Sequence, residues 1–469
     1  MLFNSGEFAV FLIVVLLLDM ILRNRLQPRY AFLLAASYFF YSCWNANYLL
    51  LLIFSTVLDF TLGRLIHLEQ RKSLRKLYLL LSLSGNLGVL GVFKYGNFFI
   101  DNITETLPFL GDIPRLEVLL PVGISFYTFQ TLSYTIDIYR RKLEPHDSFL
   151  GFALFVSFFP QLVAGPIVRA SQFLPQLGKM PVITSADASH GFFLIARGLF
   201  KKVIIADYLA IHIVDQVFSA PGAYGSPTIL IAVYAYAFQI YGDFSGYSDI
   251  AIGCGRLLGF KLPKNFDSPY VATDLRDFWR RWHISLSSWL RDYLYIPLGG
   301  SKRGQRATYI NLTLTMLLGG LWHGAGWTFI LWGLFHGVIL AVTRMAQRAG
   351  AGSCARDPSK TGRVLRALAN FQVVCLGWIL FRSPDFETFV SMLAGLGGAN
   401  GWALDVEPFV IVVLLVAAAT HMMPNRFNHN LALLWNKLPA PAMAAALIVL
   451  IGVCSFICAA ARPFIYFQF

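Results

Sequence analysis

Seven apolar runs dominate this chain: Phe8–Leu22, Leu49–Leu62, Leu77–Phe93, Ile229–Ile240, Thr328–Val342, Phe409–Thr420 and Ala444–Ala461. Each approaches the roughly 20 residues that carry an α-helix across a bilayer. Several fall short of that length, so some helices are expected to be tilted, broken or sheltered by neighbours. The charge content agrees. Charged residues make up 13% of the 469 residues, against about 25% in a soluble domain. Most of this chain is therefore expected never to meet water, and it reads as one all-α polytopic membrane domain over 1–469.

The net charge of +13 does not point to nucleic acid. Its lysines and arginines fall in short clusters between apolar runs: Arg23/Arg25/Arg29, Arg71/Lys72/Arg75/Lys76, Arg140/Arg141/Lys142 and Lys302/Arg303/Arg306. Positive charge in short loops marks the cytoplasmic side of a membrane protein. Glu7 precedes the first apolar run and Arg23 and Arg25 follow it. That polarity is opposite to a cleaved signal peptide and suggests a retained helix with its N-terminus outside. The acidic loop Asn97–Glu117 fits the outside face, whereas Arg169, Lys179, Lys201 and Lys202 are scattered and leave the topology of 145–230 open. Gln347–Arg363, rich in Gly, Ser and Pro, is the expected exposed loop. It separates a main body at about 1–346 from C-terminal helices at about 364–469. The six cysteines include no C-x-x-C pair and read as small apolar residues of membrane helices, with no metal site.

Ionisable residues within apolar segments are expensive and usually functional. Three places qualify. Gln239–Asp249 continues an apolar run yet holds Asp243, Ser245, Ser248 and Asp249, with Gly242 and Gly246 four residues apart for close helix packing. Ser245 is not in a G-x-S-x-G elbow, so a hydrolase nucleophile is not expected there. Gly253, Gly255 and Gly259 lack the preceding strand of a dinucleotide loop.

The second place is Arg280-Arg281-Trp282-His283, inside the stretch Lys261–Arg306. Trp279, Trp282, Trp289, Tyr293 and Tyr295 suit a membrane–water interface. Phe278, Trp282, Leu286, Trp289 and Tyr293 recur at helical spacing, which an amphipathic interfacial helix explains. His283 fits that helix less well. A re-entrant element lining a polar cavity accommodates both features.

The third place is Gly319-Gly-Leu-Trp322-His323-Gly-Ala-Gly326. Glycines around His323 permit close backbone approach or a helix break. The residues alone leave His323 open between a substrate-facing base and a packing histidine. His336 is its rival. On one helix from Trp322 to Leu340 the two would lie roughly 20 Å apart and point to different sides. That leaves His283 as the natural partner and His336 as structural or near the far membrane face. Two imidazoles without a Cys or Ser nucleophile suit direct acyl transfer. A neutral imidazole takes the proton of an acceptor hydroxyl as it attacks a thioester, and a second polar group orients the base or binds the oxyanion.

At these residues the chain resembles the membrane-bound O-acyltransferase (MBOAT) family, in particular its bacterial polysaccharide O-acetylating, AlgI-like branch, related to DltB. The segments are Leu120-Pro-Val-Gly-Ile-Ser-Phe-Tyr127, Ala164-Gly-Pro166, Asp243-Phe-Ser-Gly-Tyr-Ser-Asp249, Asp277-Phe-Trp-Arg-Arg-Trp-His-Ile-Ser-Leu-Ser287, Trp289-Leu-Arg-Asp-Tyr-Leu-Tyr295 and Gly319-Gly-Leu-Trp-His-Gly324. The C-terminal hundred or so residues match more loosely. The resemblance implies about 11 transmembrane helices with re-entrant or interfacial helices around a funnel and tunnel. It implies that His323 and His283 are catalytic, with Asp243, Ser245, Arg280, Arg281, Trp282 and Trp322 as candidates for substrate contact or tunnel lining. It further implies a bacterial inner-membrane location, no bound cofactor, acetyl-CoA as acyl donor, and a periplasmic SGNH-type acetyltransferase or related protein as partner. Gln161 stands where alginate-type members often carry His, and the chain is somewhat short for that group. The acceptor therefore stays open among alginate, acetylated cellulose, another exopolysaccharide and peptidoglycan. A transporter or flippase, or a scaffold of polysaccharide export, is the competing reading.

Overall fold

The computed structural model describes residues 1–111, 113–163, 165–348, 359–423, 425–457 and 462–465. Among them every regular element is a helix. Four helices are long and apolar enough to cross a membrane by themselves: Ala46–Leu68, Lys72–Thr106, Trp327–Arg348 and Lys360–Arg382. The bent pair Asn430–Asn436 and Ala440–Cys454 makes a fifth candidate. The remaining apolar sequence lies in shorter helices, or in helices interrupted by π-turns or polar residues. Length and apolarity alone therefore do not recover the expected number of crossings. Residues 349–358, the centre of the expected exposed loop, lie outside the described residues, as do Cys354 and Cys458. The helix after that loop, Lys360–Arg382, is capped by Ser359, whose Oγ accepts from the Gly362 N–H.

The chain divides into two compact units, Met1–Ile195 with Tyr247–Pro263 and Ala196–Gly246 with Lys264–Phe469. The first unit packs its helices partly through buried polar side chains. Asp59 accepts from Ser82 Oγ at 2.6 Å and Asn86 Nδ2 at 2.8 Å, and Ser55 Oγ donates to Asn86 Oδ1 at 2.5 Å. The motif Leu120–Tyr127 has a local cause. Gly123 takes φ +76° to start the helix Ile124–Tyr139, and a Cβ there would collide with the Leu162 carbonyl. Gln161, fully buried, donates through Nε2 to the Phe155 carbonyl.

The second unit is built on an antiparallel hairpin. The helices Gly304–His323 and Trp327–Arg348 meet at a break in which Gly324 is extended. They cross closely because Gly320 and Gly333 face the partner backbone. A Cβ on Gly320 would strike the Phe329 carbonyl, and one on Gly333 the Met316 carbonyl. Trp322 to Leu340 is not one helix; the break that the glycines permit falls between His323 and Trp327. On the helix Ser226–Leu257, Gly242 and Gly246 do allow close packing: a Cβ would lie 2.9 Å from the Lys201 carbonyl and 2.7 Å from the Gly198 carbonyl, respectively.

Candidate active site

The stretch 274–295 is not one amphipathic helix. It comprises Leu275–Arg281, Ile284–Leu290 and a π-turn Arg291–Tyr295. Asp274 caps the first helix by accepting from the Asp277 N–H. The break falls at His283, which adopts a left-handed backbone with φ 43°. Phe278, Trp282, Leu286, Trp289 and Tyr293 do not share an interfacial face; all are buried within the protein. Only Leu286 and Trp289 share one α-helix; Phe278 lies in the first helix, Trp282 just beyond its end and Tyr293 in the π-turn, and the reversal at His283 breaks the phase between them.

Asn265 fixes this reversal. Its carbonyl accepts from Ile284 N at 2.9 Å. Its side-chain Oδ1 accepts from Ser285 N at 3.2 Å and Ser285 Oγ at 2.8 Å, and lies 3.2 Å from His283 Nδ1. An oxygen that takes a backbone N–H is an acceptor, so the proton of a neutral His283 belongs on Nδ1. Nε2 is then the ring's basic lone pair.

His323 ends the first hairpin helix. Its ring centroid lies 6.4 Å from that of His283, and both residues are almost wholly buried, at 2% and 0% exposure. Aromatic rings wall the pair. Phe244 meets His283 edge-on at 4.5 Å, and Trp322 lies 6.0 Å from His283 and 5.0 Å from His323. Trp332 and Phe381 close the His323 side at 5.1 and 5.4 Å.

The structure thus brings together His283, His323 and Trp322. Trp282 is buried beside them in sequence, but its ring packs 4.9 Å from Trp378 and 5.1 Å from Phe266. Arg281 ties the loop down, binding Asp277 at 3.0 Å and the Asp267 carbonyl. Arg280 is exposed. Asp243 sits in a buried ion pair, its Oδ1 2.6 Å from Lys202 Nζ. Ser245 is buried, and its Oγ has no hydrogen-bond partner among the described residues.

The geometry used to separate His336 from His323 does not hold. With the chain reversing at Gly324, Trp332 touches both imidazoles, at 5.1 Å from His323 and 4.9 Å from His336. His336 is fully buried, boxed by Trp279, Trp332 and Phe335, and neither ring nitrogen has a hydrogen-bond partner among the described residues. Lys202 is the other correction. It reads in sequence as one of several scattered charges, yet it is 1% exposed and bridges Asp207 and Asp243. Nothing in the sequence flagged Asn265, which lies 18 residues before His283, with the helix Leu275–Arg281 between them. Among the described residues no three His, Cys, Asp or Glu side chains converge in a group that could hold a metal ion.

This is a helical membrane protein with two buried imidazoles at the break of a re-folded loop and the turn of a hairpin, and its sequence defines its class. The chain belongs to the membrane-bound O-acyltransferase family, whose sequence pattern matches residues 116–382. It is a polytopic membrane protein and an O-acyltransferase. A peptidoglycan O-acetyltransferase of Helicobacter pylori is 40% identical over 408 residues, covering 81% of this chain and 76% of that protein. A probable alginate O-acetylase AlgI of Pseudomonas putida is 37% identical over 501 residues and covers 100% of both chains. More distant is a teichoic acid D-alanyltransferase of Streptococcus thermophilus, 28% identical over 285 residues, with 55% of this chain and 68% of that protein covered.

Proposed function

We propose that this protein moves an acetyl group from a cytoplasmic donor across a bacterial inner membrane for O-acetylation of an extracellular polysaccharide. The observation that carries the reading is the pair His283 and His323, buried 6.4 Å apart between aromatic walls. A neutral imidazole can take the proton of an attacking hydroxyl. In this mechanism His323 removes the proton of the acceptor hydroxyl. The hydroxyl oxygen attacks the acetyl carbonyl, the carbon–sulfur bond breaks, and the thiolate leaves and is protonated. His283, held by Asn265, keeps its Nε2 turned to the reacting groups as orienting partner. The donor is acetyl-CoA, no cofactor stays bound, and a periplasmic SGNH-type acetyltransferase or related protein completes transfer to the polymer.

Relatives of both kinds are similar to this chain, the peptidoglycan-type one at 40% identity over 81% of it and the alginate-type one at 37% over 100%. The acceptor is therefore assigned at the level of an acetylated polysaccharide outside the membrane. Mass spectrometry of secreted polymer and of peptidoglycan from a deletion strain identifies which loses acetyl groups. In the same strain, His323→Ala should be made at wild-type level and fail to restore acetylation while polymer secretion continues. Acetylation that survives His323→Ala would sink the catalytic reading and leave a scaffold. Acetylated polymer retained inside the cell would instead favour an export role.

A further inference from the structure

The charge cluster behind the histidines is completed by residues near the far end of the chain. Lys202 Nζ lies 2.7 Å from Asp207 Oδ1 and 2.6 Å from Asp243 Oδ1, and donates at 3.4 Å to the Pro463 carbonyl. The second oxygen of Asp243 accepts from the Ile465 N–H at 2.6 Å. Arg462 anchors the same segment through Asp215, 2.8 Å from its Oδ2, while Arg382 holds Oδ1 at 2.9 Å. Phe464 and Ile465 are buried, at 0% and 3% exposure. The Phe464 ring packs 5.2 Å from Phe244, the ring that meets His283 edge-on at 4.5 Å.

We propose that Arg462–Ile465 is a positioning element of the reaction centre, setting the His283 ring through Asp243 and Phe244. The proposal rests on the reading of His283 and His323 as that centre. Two adjacent residues of one helix are gripped by this segment in two ways. Asp243 receives a backbone donor that a buried carboxylate needs, and Phe244 receives a ring that fills the space behind it. The donor is a main-chain N–H, so no side-chain motif announces it. The segment also lies outside the family match, which ends at residue 382. Losing the segment would leave Asp243 short of one partner and Phe244 unsupported, and the imidazole resting on Phe244 would lose its seat.

The test uses the full-length protein in inside-out membrane vesicles with radiolabelled acetyl-CoA, counting label transferred to polymer per folded molecule. Phe464→Ala is expected to lower kcat at least about tenfold, since small misplacements of a reacting group are costly. KM for acetyl-CoA should change by less than about twofold, the mark of an interaction felt in the transition state alone. Phe464→Leu, which restores bulk behind Phe244, should recover most of kcat. Ile465→Pro, which removes the donor to Asp243, should repeat the kcat loss. Arg462→Ala, on a half-exposed anchor, should show a smaller fall and serves if the other variants do not fold. The proposal is overturned if kcat per folded molecule stays at wild-type level in these variants while His323→Ala is inactive. An active His323→Ala would instead overturn the reaction-centre reading, and this proposal with it.

Discussion

The two units bury polar groups by opposite means. In the first, Asp59 is surrounded by neutral donors, Ser82 and Asn86, with Ser55 and Thr135 a bond further out. Each bond ties one helix to another, and the network is fully enclosed. In the second, a lysine bridges two carboxylates, and the two imidazoles near that cluster face aromatic rings. A polar group closed into hydrogen bonds on every side holds helices together. One walled by rings keeps its chemistry for something that comes and goes. Under the proposed function the difference, for His283 and His323, separates glue from reagent where burial does not, because both sets are buried.

Substitutions can break that distinction. The largest effect is expected for His323→Ala. Losing a general base lowers acetyl transfer by about 10²–10⁴-fold, with little change in the thermal unfolding of the purified protein. An equally large drop in unfolding temperature would move His323 to the structural class. Lys202→Met comes next. It strands two buried carboxylates, and removing one partner of a buried pair destabilises by about 3–5 kcal/mol. Detergent-extracted protein should unfold early, and adding Asp207→Asn and Asp243→Asn should recover part of the loss. If Lys202→Met alone is stable, the cluster is not holding the unit. Asn265→Ala should lower activity by about tenfold or more by freeing the His283 ring, which turnover per folded molecule would report. Asp59→Asn is the mildest. It alters one hydrogen bond of that network, about 1 kcal/mol, and should leave acetyl transfer unchanged. A catalytic loss there would erase the contrast between the units.

Much of this was legible in the sequence, for identifiable reasons. The apolar runs, the glycine pair at 242 and 246, and the break near Gly324 follow from local rules of chain geometry, and the structure repeats them. His283 and His323 stood out because an imidazole is conspicuous among apolar neighbours. The rest depended on information that no local pattern holds. His336 was set aside by measuring along a helix that the glycines break, so the same residues that marked His323 invalidated the ruler. Lys202 looked like any loop cation because sequence shows charge but not depth. Asn265 is an ordinary polar residue until the chain folds back and places His283 and Ser285 on its side-chain oxygen.

The left-handed backbone of His283 limits how its role can be probed. A residue with a β-carbon pays roughly 1–2 kcal/mol to sit there, so alanine removes the ring and leaves the strain in place. Glycine relieves the strain and loosens the loop at once. Asparagine alone tolerates that conformation while still offering an N–H to Asn265. His283→Asn thus takes away the imidazole and its ring contacts with Phe244 and Trp322 while keeping the chain reversal and an N–H for Asn265. An experimenter who reaches for alanine by habit will measure the reversal of the chain along with the chemistry.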